Sequence, residues 1–144
     1  MLEESARLLN LAFPDPDGYP RMEDARAEVK GFRKNPERIA LAAVADRGIL
    51  AGWTGAIPTY NNCSWELHPL VVRKDWRGQG LGRLLVQHLE REIARRGGGT
   101  IYLGTDDTRG QTTVGGIDLF PGLLQPRYDG SHEHVCATQA NGWA

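Results

Sequence analysis

The chain has 144 residues, 40% of them hydrophobic and 24% charged, with a formal net charge of −1. That length suits one domain with its own core, and the balanced charge excludes a global attraction to nucleic acid or anionic membrane. No apolar run reaches the roughly 18 residues of a membrane-spanning helix, and the acidic start MLEESARLLN does not resemble a secretory signal.

Residues 2–12 (LEESARLLNLA) bring Leu2, Ala6, Leu9 and Phe13 near one face, which predicts a helix. PDPDGYP (14–20) breaks it. Met22, Ala25, Val29 and Phe32 recur at three- and four-residue steps and predict a second helix over about 22–33. RIALAAVAD (38–46), a turn at Asp46-Arg47-Gly48 and ILAGWTGAIP (49–58) read as an antiparallel hairpin. SWELHPLVV (64–72) reads as a third strand. Its Pro69 lacks an N–H, so an edge position or a bulge is expected there.

A helix over 82–96 follows, with Leu81, Leu85, Leu89 and Ile93 as its apolar stripe. Arg95 and Arg96 lie at its end and Gly97 stops it. TIYLGT (100–105) is a fourth strand, and strand–loop–helix–strand favours a parallel crossover. Beyond Asp107 the periodicity decays, and 121–144 is expected to be irregular within the single domain 1–144. Cys63 and Cys136 form no CxxC pair, so no disulfide framework is expected and a cytoplasmic location is the default.

Between the third strand and the following helix lies WRGQGLG (76–82). A strand, a glycine-rich turn and a helix N-terminus together make an anion site, because the first helical N–H groups lack partners and glycines admit a phosphate to the backbone. Taken alone, the Gly-x-Gly pattern reads more readily as a plain surface loop. The Walker pattern GxxxxGK[ST] is absent, and the alternating Gly78, Gly80 and Gly82 after an antiparallel hairpin do not fit the dinucleotide fingerprint.

The spacing RxxGxG, met by Arg77, Gly80 and Gly82, resembles the acetyl-CoA pyrophosphate loop of the GNAT N-acetyltransferases. NPERIALAAV (35–44), GAIPTY (55–60), WELHPLVV (65–72), GGTIYLGTDD (98–107) and NGW (141–143) resemble, more narrowly, the aminoglycoside 6′-N-acetyltransferases, over roughly residues 8–120. The resemblance implies an α/β fold of GNAT type: a mixed sheet whose central parallel strands splay around the pantetheine arm, with flanking helices. It implies acetyl-CoA as cosubstrate, no metal, and direct attack of a 6′-amine on the thioester, an activity that confers antibiotic resistance. The cofactor set it implies is Leu70, Val71, Val72, Arg77, Gly78, Gln79, Gly80, Leu81, Gly82 and Arg83. The Leu70 N–H would serve the thioester carbonyl and the Val72 N–H a pantetheine amide.

Glu66 is the expected base, and His68, two residues along one strand face, would orient the site or relay a proton. For His68 a satisfied strand histidine is an equal alternative, and for Glu66 the alternative is a strand ion pair. A polycationic amine calls for an acidic pocket. Asp106 and Asp107 at the end of the fourth strand are the candidates, with Asp118 weaker, and a turn cap is the alternative for Asp107; the resemblance implies Phe13 and Tyr60 against sugar faces, though Phe13 taken alone reads as core. The HxHxC spacing of His132, His134 and Cys136 is expected to be irregular tail, with no metal.

The family begins with a strand before the first helix and carries EFYxKLGF and two further strands after the fourth; neither is found here. The tyrosine of that motif would protonate the CoA thiolate. Tyr128, in QPRYDGS, does not match it. Uncovered sheet edges suggest a homodimer. Another small cationic amine as acceptor, or a truncated CoA-binding remnant, are the alternative readings.

Overall fold

The computed structural model describes residues 1–104. Two helices come first, α1 (Leu2–Ala12) and α2 (Met22–Lys34), then the strands β1 (Ile39–Val44), β2 (Leu50–Thr59) and β3 (Ser64–Val72). The helix α3 (Leu81–Arg95) and the short strand β4 (Thr100–Tyr102) complete it. The four strands lie in the order β1-β2-β3-β4, antiparallel except for the parallel pair β3/β4. The α/β fold with a mixed sheet and a parallel crossover is therefore as expected.

The helices cover both faces of the sheet. On one, Ala6 and Leu9 of α1 and Ala25, Val29 and Phe32 of α2 pack on Trp53 and Val71. On the other, Leu89 and Ile93 of α3 pack on Ile39, Ala56 and Trp65. These are the stripes that the three- and four-residue spacing marks. Gly97 takes a positive φ of 85° and ends α3: its N–H donates to the Ala94 carbonyl and that of Gly98 to the Ile93 carbonyl. Arg96 fastens this end by donating to the carbonyls of Pro36 (3.0 Å) and Glu37 (3.1 Å).

Pro69 sits in a bulge inside an interior strand, not at an edge. The register steps from Thr54↔Leu70 to Ala56↔Leu67, so His68 and Pro69 together oppose Gly55. Gly55 is required by close approach: a Cβ there would lie 2.8 Å from the His68 carbonyl oxygen and 2.5 Å from the Phe32 ring. The extra residue also reverses the facing of β3. Trp65 and Leu67 turn towards α3, while His68 and, beyond the bulge, Val71 turn towards α1 and α2.

Among the described residues no cysteine is free. Among the same residues no helix is long and apolar enough to cross a membrane.

Candidate functional site

β3 and β4 pair over only three positions, Ser64↔Thr100, Trp65↔Ile101 and Glu66↔Tyr102. Past them a cleft of about 690 Å³ opens, lined on the β3 side by Leu67, His68, Pro69 and Leu70 and on the β4 side by Tyr102, Leu103 and Gly104. Phe13, Asp15, Asp17 and Tyr19 wall it from the α1–α2 connection.

The backbone directions in this cleft follow from one hydrogen bond. The Arg73 N–H donates to the Ala51 carbonyl at 2.8 Å, one step beyond the Gly52↔Val72 pair. Antiparallel pairs alternate, so Gly52↔Val72 and Thr54↔Leu70 are pairs that exchange no bonds. The N–H groups of Leu70 and Val72 therefore point away from β2, to the side on which β4 pairs with the start of β3. The Val72 carbonyl points the same way and accepts from Arg77 Nε at 3.0 Å.

The glycine loop closes the Val72 end of β3. Gly78 (φ 74°) and Gly80 (φ 83°) are left-handed, and a Cβ at either would meet nothing within 4 Å. The backbone here is thus open to an incoming group. Gly80 caps α3 without a side-chain bond, and the first turn holds no acidic residue. The first intrahelical bond is Leu84 N–H to the Gly80 carbonyl, which leaves the N–H groups of Leu81, Gly82 and Arg83 without helical partners. Arg77, Gln79 and Arg83 are exposed beside them. Three orphan donors, a helix dipole and two guanidinium groups suit an anion such as a pyrophosphate.

Glu66 and His68 share one face, with His68 Nδ1 3.8 Å from Glu66 Oε1. Two partners of His68 escape a reading of the sequence. Glu28 of α2 places Oε1 3.8 Å from Nε2, and the Tyr19 hydroxyl lies 3.4 Å from the same nitrogen. Burial, helped by the charge of Glu28, pushes the Tyr19 hydroxyl well above the ordinary phenol range. Tyr19 is held by Asn10 Nδ2 donating to its carbonyl at 2.7 Å and by Phe13, whose ring meets it edge-on at 6.1 Å. The signal in the sequence was slight: a tyrosine inside a turn motif and one glutamate on a charged helix face.

Of the expected substrate contacts, Phe13 and Glu66 lie at this cleft or beside it. Tyr60 does not. It stands 73% exposed on the β2–β3 turn, at the Ser64 end of β3 and away from the cleft lining. Asp106, Asp107, Asp118, Tyr128, His132, His134 and Cys136 lie outside the described residues.

Residues 3–114 match the acetyltransferase (GNAT) family. No curated protein matches. Among solved structures, the chain is 44% identical to an aminoglycoside 6′-N-acetyltransferase complexed with coenzyme A (TM-score 0.63). It is 46% identical to an aminoglycoside 6′-acetyltransferase type Ii (TM-score 0.64) and 47% identical to the aminoglycoside 6′-N-acetyltransferase from Enterococcus faecium (TM-score 0.64). In each case 74% of this chain is covered, and the chain spans 56%, 64% and 56% of those proteins' lengths. With the splayed parallel pair, the bulge and the glycine loop in place, and a family match over most of its length, the chain belongs to the GNAT acetyltransferase family.

Proposed function

We propose that the protein acetylates the 6′-amine of an aminoglycoside with acetyl-CoA as donor, and so removes a positive charge from the drug. The observation that carries this reading is the pair of Leu70 and Val72 N–H groups turned into the gap between β3 and β4, in line with the glycine loop at the start of α3. The three similar aminoglycoside acetyltransferases supply the acceptor. Use of acetyl-CoA would set the reaction in the cytoplasm.

In this reading the Gly78–Gly82 backbone, the first turn of α3, Arg77 and Arg83 hold the pyrophosphate, and the Val72 N–H holds a pantetheine amide. The Leu70 N–H donates to the thioester oxygen and is aimed at the charge that grows there as the amine attacks. Glu66, directly or through water, takes the proton that the ammonium must lose. The new N–C bond forms, the C–S bond breaks, and the second proton that the nitrogen sheds in becoming an amide passes through water to the thiolate. Phe13 packs against the acceptor, and Asp106 and Asp107 supply negative charge to a polycation. The outer edge of β1 suits pairing with a second copy; a monodisperse monomer in light scattering would refute that assembly.

The test is free-thiol release from acetyl-CoA with kanamycin, a 6′-amino aminoglycoside, beside a 6′-hydroxyl analogue. Release with the amine alone is expected. Thermal stabilisation by acetyl-CoA without release on either compound would overturn the acceptor and leave a CoA-binding protein. Release with a different small amine only would move the reading to that acceptor class.

A further inference from the structure

We infer that Glu28 is a positioning residue that completes a proton path, Glu66–His68–Glu28, leading out of the cleft through the α1–α2 side of the sheet; this rests on the acetyl-transfer reading above. The imidazole of His68 stands between two carboxylates, one facing each ring nitrogen. Glu66 Oε1 is 3.8 Å from Nδ1 and Glu28 Oε1 is 3.8 Å from Nε2. Both gaps are one water or a small rotation from a hydrogen bond.

His68 and Glu28 open onto different hollows. His68 lines the cleft between β3 and β4. Glu28 lines a separate, open hollow of about 720 Å³ with Arg21, Asp24 and Arg38. Tyr19 stands in the wall between them and lines both. Burial keeps Tyr19 a neutral phenol, so it steadies the Nε2 side of the ring and does not compete as a base. Asp24 is occupied by Arg21, which donates to it at 2.8 and 2.9 Å. Glu28 is thus the carboxylate placed to take over from His68.

The path balances without another reactant. The acceptor ammonium gives one proton to Glu66. Glu66 passes it to Nδ1 of a neutral imidazole that carries its own proton on Nε2. The ring releases that second proton to Glu28, and Glu28 gives it to water in the outer hollow. Each turnover frees one proton on this side and returns Glu66 to its charged form; the ring is left protonated on Nδ1, and exchange through water returns the proton to Nε2 before the next acceptor reacts.

The experiment uses the full chain and the variants Glu28→Gln, His68→Gln and both together. In the thiol-release assay Glu28→Gln should lower kcat about tenfold and leave the KM for acetyl-CoA unchanged, less than the roughly hundredfold or more of a group that meets the reacting atoms. Because Glu28 acts through His68, the double variant should be no slower than His68→Gln alone. Formate, a small carboxylate, should restore kcat to Glu28→Ala. Multiplying losses, or no rescue, would overturn the proton path. The same four proteins unfolded in urea give a readout independent of turnover. Non-additive midpoints are expected for a real Glu28–His68 contact, and strict additivity would overturn the proposal even if the wild-type protein turned over no aminoglycoside. Wild-type inactivity with non-additive midpoints would sink the acetyl-transfer reading, and the proton path with it, while leaving the contact.

Discussion

Gly55→Ala tests whether the bulge is held in place by contact or merely tolerated. The added methyl would sit 2.5 and 2.7 Å from two carbons of the Phe32 ring and 2.8 Å from the His68 carbonyl oxygen, against the roughly 3.5–4.0 Å of ordinary carbon contacts. Neither neighbour yields easily. Phe32 is 3% exposed and packed edge-on against Trp53 at 5.2 Å, and the oxygen belongs to the backbone of the bulge itself. Overpacking of this kind costs about 2–3 kcal/mol, or about 6–10 °C in Tm for a chain of this size. Relief by moving the His68–Pro69 backbone would also re-aim the Leu70 N–H, so kcat should fall by more than the lost stability explains at a temperature where the variant is folded. Thermal unfolding beside thiol release gives both numbers. The contrast is Gly31→Ala in α2, where the nearest atom is the flexible end of Arg38 at 3.4 Å; there the gain in helix propensity should raise stability by about 0.5–1 kcal/mol. A Gly55→Ala protein within about 2 °C of wild type would refute the argument that the bulge is sterically fixed.

Thr54 is fully buried and its hydroxyl has no hydrogen-bond partner among the described residues, so Thr54→Val should raise the urea midpoint by an amount equivalent to about 1 kcal/mol; a loss of stability would mean that the hydroxyl is engaged. The hydrogen bonds from Arg95 and Arg96 hold the Glu92 carboxyl at about 2, below its ordinary 4.5. A depressed carboxylate stabilises above its unfolded value and loses that contribution as pH falls. Glu92→Gln should therefore cost about 1 kcal/mol or less at pH 7, given the solvent beside these side chains. The difference from wild type should close between pH 4.5 and 2. Gly80→Ala places a side chain at φ 83° and should raise the KM for acetyl-CoA severalfold, at a stability cost of about 1 kcal/mol; an unchanged KM would detach this loop from the cosubstrate. Tyr128→Phe should barely alter turnover, and a large loss would make Tyr128 the acid for the departing thiolate.

Most of the fold could be read along the chain, because each element carries its own period. β3 runs from Ser64 to Val72 as the apolar run suggests, and α3 is offset from its expected span by a single residue. Pro69 announced an irregularity, but only pairing with β2 shows that the strand is interior and that Gly55 fills the opposite side. The site was legible where its residues are neighbours in sequence. Glu66 with His68 follows from the two-residue strand repeat, and Arg77 with Gly80 and Gly82 from their spacing. Tyr19 and Glu28 were not legible, since they reach His68 across 49 and 40 residues through the way α1 and α2 lie over the sheet. Tyr60 follows the strands in GAIPTY and stands on the tight β2–β3 connection, with φ 47°.

The short pairing of β4 has a consequence for how the protein meets its donor. Among the described residues the β3–β4 ladder stops after three rungs, and no described strand pairs with the amides of the far stretch of β3 on that side. Those amides must be hydrated when the gap is empty, and a bound pantetheine arm would act as a surrogate strand, completing the ladder with its own amides. Hydrogen exchange at Leu70 and Val72 would then be fast in the free protein and slow in the complex. Donor binding would finish the sheet as well as fill a pocket, so occupancy and local order would rise together.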